Sequence, residues 1–146
     1  MPGITNPAEP FFKDGVWGWD LTQWRKLAMV FGFSAGLGEQ IYDADADAGT
    51  NVLNGTVVPA GQVWVIEFIS CTNRQRICTY ILHTVVKSGI TVAIYEGVQA
   101  AADRYTIWSG RITLAAGDYV SCHYYGCTAG DDLLLRYGGY KMYIAE

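Results

Sequence analysis

The chain has 146 residues, of which 51% are hydrophobic and 16% charged, with a formal net charge of −4. This length fits one domain plus an appendage, and the apolar share supports a packed core and excludes a disordered chain. The ten Lys and Arg are scattered singly apart from Arg25-Lys26 and Arg74/Arg76. Without a basic groove, no nucleic-acid partner is expected, and no stretch is long enough to span a membrane. So low a charge leaves little to solvate a free surface, so partners are expected to cover part of it.

In chain order, residues 1–14 hold three of the four prolines and no regular period, which reads as an extended arm. Met1–Pro10 lacks a basic start followed by an apolar run, so no secretory leader is expected and assembly in a cytosol follows. Residues 15–33 read as a hairpin turning at Asp20-Leu21-Thr22. A helix over Thr22–Val30 is the competing reading, because Leu27, Met29 and Val30 suit either period. Phe11, Phe12, Trp17, Trp19, Trp24, Phe31 and Phe33 crowd this segment as candidate anchors, and Asp14, Asp20, Arg25 and Lys26 give it a polar rim. "SAGLGE" (Ser34–Glu39) reads as a flexible joint. The expected division is an arm with an aromatic hairpin over 1–40 and a β-sandwich over 41–146.

From Thr50 onward nearly all of the pattern is β. Strands are expected at 50–58, 62–70, 77–87, 90–96, 104–114, 118–125 and 131–144, the last split in two at Gly138-Gly139. Turn signals at Pro59-Ala60-Gly61, Ser88-Gly89, Ala116-Gly117 and Ala129-Gly130-Asp131 separate them. About eight strands result, the number of a jelly roll, so the fold class is all-β and jelly-roll-like. In "GDYVSCHYYG", Val120, Cys122 and Tyr124 point one way and Tyr119, Ser121 and His123 the other. "QVWVIEFIS" is apolar on both faces except at Glu67, which predicts cover on both sides. "VVPAGQVWVI" and "TLAAGDYVSC" repeat one strand, turn and strand pattern, with Gly61 and Gly117 supplying positive φ.

"WGWDLTQWRKL" resembles a hairpin segment of the type "WGYDGTQWRKL" that recurs in tailed-bacteriophage virion proteins. The run from Pro59 through Met142, with its "AGD" turn and closing "GYKM", is similar to the small β-sandwich that follows it there. The resemblance covers roughly residues 7–33 and 57–143. Leu21 stands where that family commonly has Gly, so the turn must differ. The resemblance implies a structural virion component, either a head decoration (cement) protein or a tail or fibre component.

The chemistry-bearing residues are sparse. Asp43, Asp45 and Asp47 in "DADADAG" alternate as hard-cation ligands can, but Gly49 is the seventh residue and Asn54 the twelfth, out of step with a Ca²⁺-binding loop. The reading is a solvated acidic loop with no metal. His83 and His123 lie on different strands, read as surface or interface histidines; Ser121 shares the face of His123 without an orienting acid. Cys71, Cys78, Cys122 and Cys127 form no CxxC and read as buried reduced thiols, with Cys122 and Cys127 the pair best placed for a disulfide. Tyr119, Tyr124, Tyr125, Tyr137, Tyr140 and Tyr143 offer a face for protein contacts or for stacking on sugar rings. No catalytic set and no cofactor site is evident. The reading is a non-enzymatic capsid decoration protein, a homo-oligomer (expected trimer) that contacts the major capsid protein or another virion protein, located in the virion. The alternative is a tail or fibre component whose Tyr-rich face binds host surface glycan.

Overall fold

The computed structural model of the protein describes residues 34–144. The seven anchor aromatics and both readings of residues 15–33 lie outside the described residues. Gly36–Lys141 forms one compact unit.

Among the described residues there are eight strands and no helix: β1 (Ser34–Asp43), β2 (Gly49–Asn54), β3 (Gln62–Asn73), β4 (Tyr80–Lys87), β5 (Ile90–Gly97), β6 (Thr106–Leu114), β7 (Tyr119–Cys127) and β8 (Leu133–Tyr143). They form two four-stranded sheets, ordered β1-β8-β3-β6 and β2-β7-β4-β5. β4 pairs with β5, β3 with β6, β2 with β7, and β1 lies beside β8. This is one long hairpin rolled onto itself, and the strand order matches the nested pairing of a jelly roll. The innermost turn is Ser88-Gly89, with φ of 51° and 80°. Two consecutive positive φ values match the right-handed twist of a tight hairpin, which the Ser-Gly pair accepts at small cost.

The core lies between the sheets. Trp64, Ile66, Ile69 and Cys71 of β3 and Leu133, Leu135 and Tyr137 of β8 face Ile81 and Val85 of β4 and Val120, Cys122 and Tyr124 of β7. Burying each large apolar side chain contributes about 1.5–3 kcal/mol. The alternation read in β7 is the one found. The cover expected on both faces of β3 is found in part: Val65, Ser70 and Thr72 of the outward set are buried as well as the inward set. The register of β3 against β6 shifts between Ile66 and Phe68, and its inward set changes phase there, from Trp64 and Ile66 to Ile69 and Cys71. The shift keeps apolar residues of both halves of β3 on the core, and leaves Phe68 of the outer face exposed.

Two further expectations are corrected. "SAGLGE" is no joint but the first half of β1. Gly138-Gly139 does not divide the last segment, since β8 runs unbroken. A Cβ on Gly139 would overlap the carbonyl oxygen of Val65, and one on Gly138 would fall 2.7 Å from the Phe68 ring. These glycines let β8 approach β3 rather than end a strand. The strand count survives because one missed strand offsets one false split. The two echoing turns meet in space: the Val58 N–H donates to the Asp118 carbonyl at 2.9 Å and the Gly117 N–H to the Val58 carbonyl at 2.9 Å.

Candidate functional site

A polar cleft of about 340 Å³ opens on the outer face of the β1-β8 side, lined by Gln40, Tyr42, Arg74, Asp103, Tyr105, Leu134 and Arg136. Strand alternation supplies half of it. Leu37 and Ile41 of β1 turn to the core, so Gln40 and Tyr42 turn out; Leu133, Leu135 and Tyr137 of β8 turn in, so Leu134 and Arg136 turn out. Leu134 is nevertheless only 3% exposed, an apolar floor beneath the polar side chains.

Two loops supply the rest, and each is pinned. The Arg74 N–H donates to the Asp132 carbonyl at 2.7 Å, and the Asp103 N–H to the Asn73 carbonyl at 3.0 Å. The buried amide of Gln99 shares its N–H groups among Thr72 Oγ1 and the carbonyls of Asn73, Ala101 and Arg104. It thereby fixes the segment that presents Asp103 and Tyr105. Asp103 sits at a φ of 59°, a left-handed conformation that such a network can hold.

Each wall of the cleft carries a guanidinium beside a ring. Arg74 lies 6.0 Å from the Tyr42 ring centre and Arg136 lies 5.5 Å from that of Tyr105. Arg74 is flanked by Asp103 and Asp132, each at 3.7 Å. The Tyr42 hydroxyl donates to Asp132 Oδ2 at 3.0 Å, and this hydrogen bond raises the phenol's pKa. Asp132 Oδ1 is buried with no hydrogen-bond partner among the described residues. Arg136 Nε donates to Gln40 Oε1 at 3.0 Å, and Arg136 has no carboxylate within ion-pair distance among the described residues.

Next to the cleft, and turned inward, lies a second polar cluster. The carboxylate of Asp131 is buried. It accepts hydrogen bonds from Asn73 Nδ2 at 2.7 Å, the Thr128 N–H at 2.8 Å and Arg76 Nη1 at 2.5 Å. Asn73 Oδ1 in turn accepts from the Gln75 and Arg76 N–H groups.

The residues singled out from sequence are dispersed. His83 corrects the surface or interface reading, for it is fully buried between the sheets. Its Nε2 lies 2.8 Å from Thr106 Oγ1, its Nδ1 has no hydrogen-bond partner among the described residues, and burial lowers its pKa to about 4. His123 is half-buried on the other face of its sheet, stacked with Tyr125, which stacks on Tyr80 at 4.3 Å. Tyr124 and Tyr137 belong to the core, so the Tyr-rich run does not form one exposed face.

The four cysteines are all buried thiols, but the expected partnership of Cys122 with Cys127 is overturned. Cys122 lies 2.6 Å from Cys71 of the opposite sheet, and Cys127 lies 3.9 Å from Cys78. Five residues of extended strand hold Cys122 and Cys127 roughly 16 Å apart along the chain. Burial raises the thiols of Cys122 and Cys127 and pushes that of Cys78 up to about 12. In the acidic loop, Asp43 Oδ1 accepts the Asp45 N–H and the Asp47 N–H donates to Asn51 Oδ1. No cluster of His, Cys, Asp or Glu able to hold a metal occurs among the described residues.

One margin of the molecule is apolar. β5 and β6 are terminal strands of the two sheets, adjacent across the sandwich. Ile90, Val92, Tyr95 and Val98 along β5 and just after it, and Ile107 on β6, are exposed. No lysine, arginine or proline interrupts β5, although such residues commonly protect a sheet edge.

No family profile matches this sequence, and no curated protein matches it. Solved structures of similar outline include a chain of the acid-stable capsid of Helicobacter pylori bacteriophage KHP30. It is 13% identical with a TM-score of 0.46, over 77% of this chain and 95% of that one. A Bacillus endospore-appendage chain, from a family of disulfide-linked pili, is 12% identical with a TM-score of 0.43, over 78% and 93%. The Drosophila NLP core, described for pentamer formation and histone binding, is 10% identical with a TM-score of 0.36, over 73% and 97%. Likeness at this level carries neither activity nor partner over to the present chain.

Proposed function

We propose that this chain is a non-enzymatic structural protein of a bacteriophage virion, a decoration protein that reinforces the head. The observation that carries the reading is the exposed apolar margin of β5 and β6. An edge strand with exposed Ile90, Val92 and Tyr95 favours a molecule whose surface is completed by other copies or by a shell. The resemblance of "WGWDLTQWRKL" and of the closing "GYKM" to virion proteins selects the virion among assemblies. Of the expected arm, only the residues ahead of β1 act as such, with Phe11, Phe12, Trp17, Trp19, Trp24, Phe31 and Phe33 as anchors on a neighbouring subunit or on the major capsid protein. The protein assembles as a trimer, and repetition on a lattice multiplies modest contacts.

The test is co-sedimentation of the full chain with empty expanded heads, together with its mass by light scattering. A multimer that binds heads and loses binding on Trp17→Ala or Trp24→Ala, each by a few kcal/mol at most, is the expected result. A monomer that ignores heads would overturn the reading. The alternative, a tail or fibre component that recognises glycan, draws no support from the Tyr-rich run, because Tyr124 and Tyr137 are spent in the core. Its support comes instead from the cleft.

A further inference from the structure

We infer that the cleft between Arg74 and Arg136 is a binding site for a carboxylate-bearing sugar, such as a uronic or sialic acid residue of a glycan. The inference does not depend on a place in the virion. Arg136 is held from two sides, by Gln40 at 3.0 Å on Nε and by the Tyr105 ring at 5.5 Å. Its two terminal nitrogens remain without a carboxylate among the described residues. A guanidinium fork fixed in this way suits the planar, two-oxygen geometry of a carboxylate.

The rest of the cleft argues for a sugar rather than a bare anion. The positive charges of Arg74 and Arg136 are matched by Asp103 and Asp132, so the cleft is close to neutral. Such balance disfavours phosphate and nucleic acid, which need an excess of cations. Because both carboxylates flank Arg74, Arg136 is left to meet a single carboxylate, and the rest of the cleft to meet neutral hydroxyl groups. Asp103 and Gln40 can accept hydrogen bonds from those hydroxyls, while the rings of Tyr42 and Tyr105 and the floor of Leu134 offer surface to the C–H faces of a pyranose. The volume of about 340 Å³ lies at the lower end of ligand clefts, the range for one small ring system. Gln99 and the backbone bonds of Arg74 and Asp103 set the loops before any ligand arrives.

The experiment is titration of the full-length protein, followed by NMR or calorimetry at fixed salt. The pairs are sialyllactose against its methyl ester and trigalacturonate against its methyl ester, so that only the carboxylate differs. Acetate, phosphate and an acidic hexapeptide serve as further arms. The expected result is at least tenfold tighter binding of one acidic sugar than of its neutral partner, and which pair responds identifies the sugar acid. Arg136→Gln and, separately, Gln40→Ala should remove that preference while the thermal melt stays unchanged. Equal binding within both pairs, no binding by any sugar, equal or tighter binding of acetate, phosphate or the peptide, or an unaltered preference in both variants would each overturn the assignment.

Discussion

Asp131 and Asp132 are consecutive, yet they serve two polar clusters finished to different degrees. Asp131 turns inward and is saturated by Asn73, Thr128 and Arg76. Asp132 turns toward Tyr42 and Arg74 at the cleft's edge, one of its oxygens is buried without a partner, and most of the Arg136 fork in the cleft remains unused among the described residues. Both lie in the short link between the Ala129-Gly130 turn and β8, and they leave the chain toward different surroundings. Saturated polar groups hold a fold in place. Groups with capacity left, on a pinned frame, are where a ligand can add bonds without rearrangement.

The comparison can be broken most severely at Asp131. Asp131→Ala strips partners from Asn73 and the Thr128 N–H, and breaking a buried charge pair costs about 3–5 kcal/mol. Arg76 is half-exposed and solvated in part, so the lower end is expected, read as a drop in the urea midpoint. The next effect is on pH. His83, buried and depressed to about 4, takes up its proton in the unfolded chain near 6.5 but not in the folded one. Its contribution is complete above that unfolded value and is lost as the pH falls toward 4, by on the order of 3 kcal/mol. Melts at stepped pH should follow this window in the native chain and flatten in His83→Gln. Asp118 adds a loss lower still. Its burial favours the protonated acid but is outweighed by the Ser88 and Ala115 N–H donors and by Lys87, which leaves its pKa below the ordinary value.

A smaller change is expected at Tyr137, whose hydroxyl accepts the Thr56 N–H at 2.9 Å. Tyr137→Phe leaves that donor unpaired, a cost of about 1–2 kcal/mol visible as a lower melting temperature. The smallest effect sharpens the contrast. Arg136→Gln should change stability by less than about 0.5 kcal/mol, because an exposed side chain outside the saturated cluster contributes little. A large destabilisation there would mean that the cleft holds the fold as Asp131 does.

Much of the sandwich was legible before its structure. Gly61, Gly89, Gly117 and Gly130 each take positive φ at a turn that the sequence marks. The alternation of Val120, Cys122 and Tyr124 names the inner face of β7. β1 was hidden because Gly36 and Gly38 blur its period, and Gly138-Gly139 misled because close approach and chain reversal use the same residue. His83 was misjudged because burial of a histidine depends on Thr106, a partner from another strand. The cleft was illegible altogether. It joins two strands and two loops, and Gln40 and Arg136 are separated by 96 positions. No local pattern encodes such a meeting.

The nested pairing also sets an order of events in folding. Lys87 and Ile90 meet across the tightest turn, whereas Tyr42 waits for Asp132, 90 residues on, and Gln40 for Arg136, 96 on. Closing the inner pairs brings the ends of each outer pair together, so their loop-closure entropy falls as the roll proceeds from β4 and β5 outward. Contacts this distant in sequence place the chain among slow folders, on the scale of milliseconds to seconds. On a ribosome, β1 emerges first of the eight strands, yet its neighbour β8 is made last. Its free edge must therefore be kept from other chains for nearly the whole of synthesis of the sandwich.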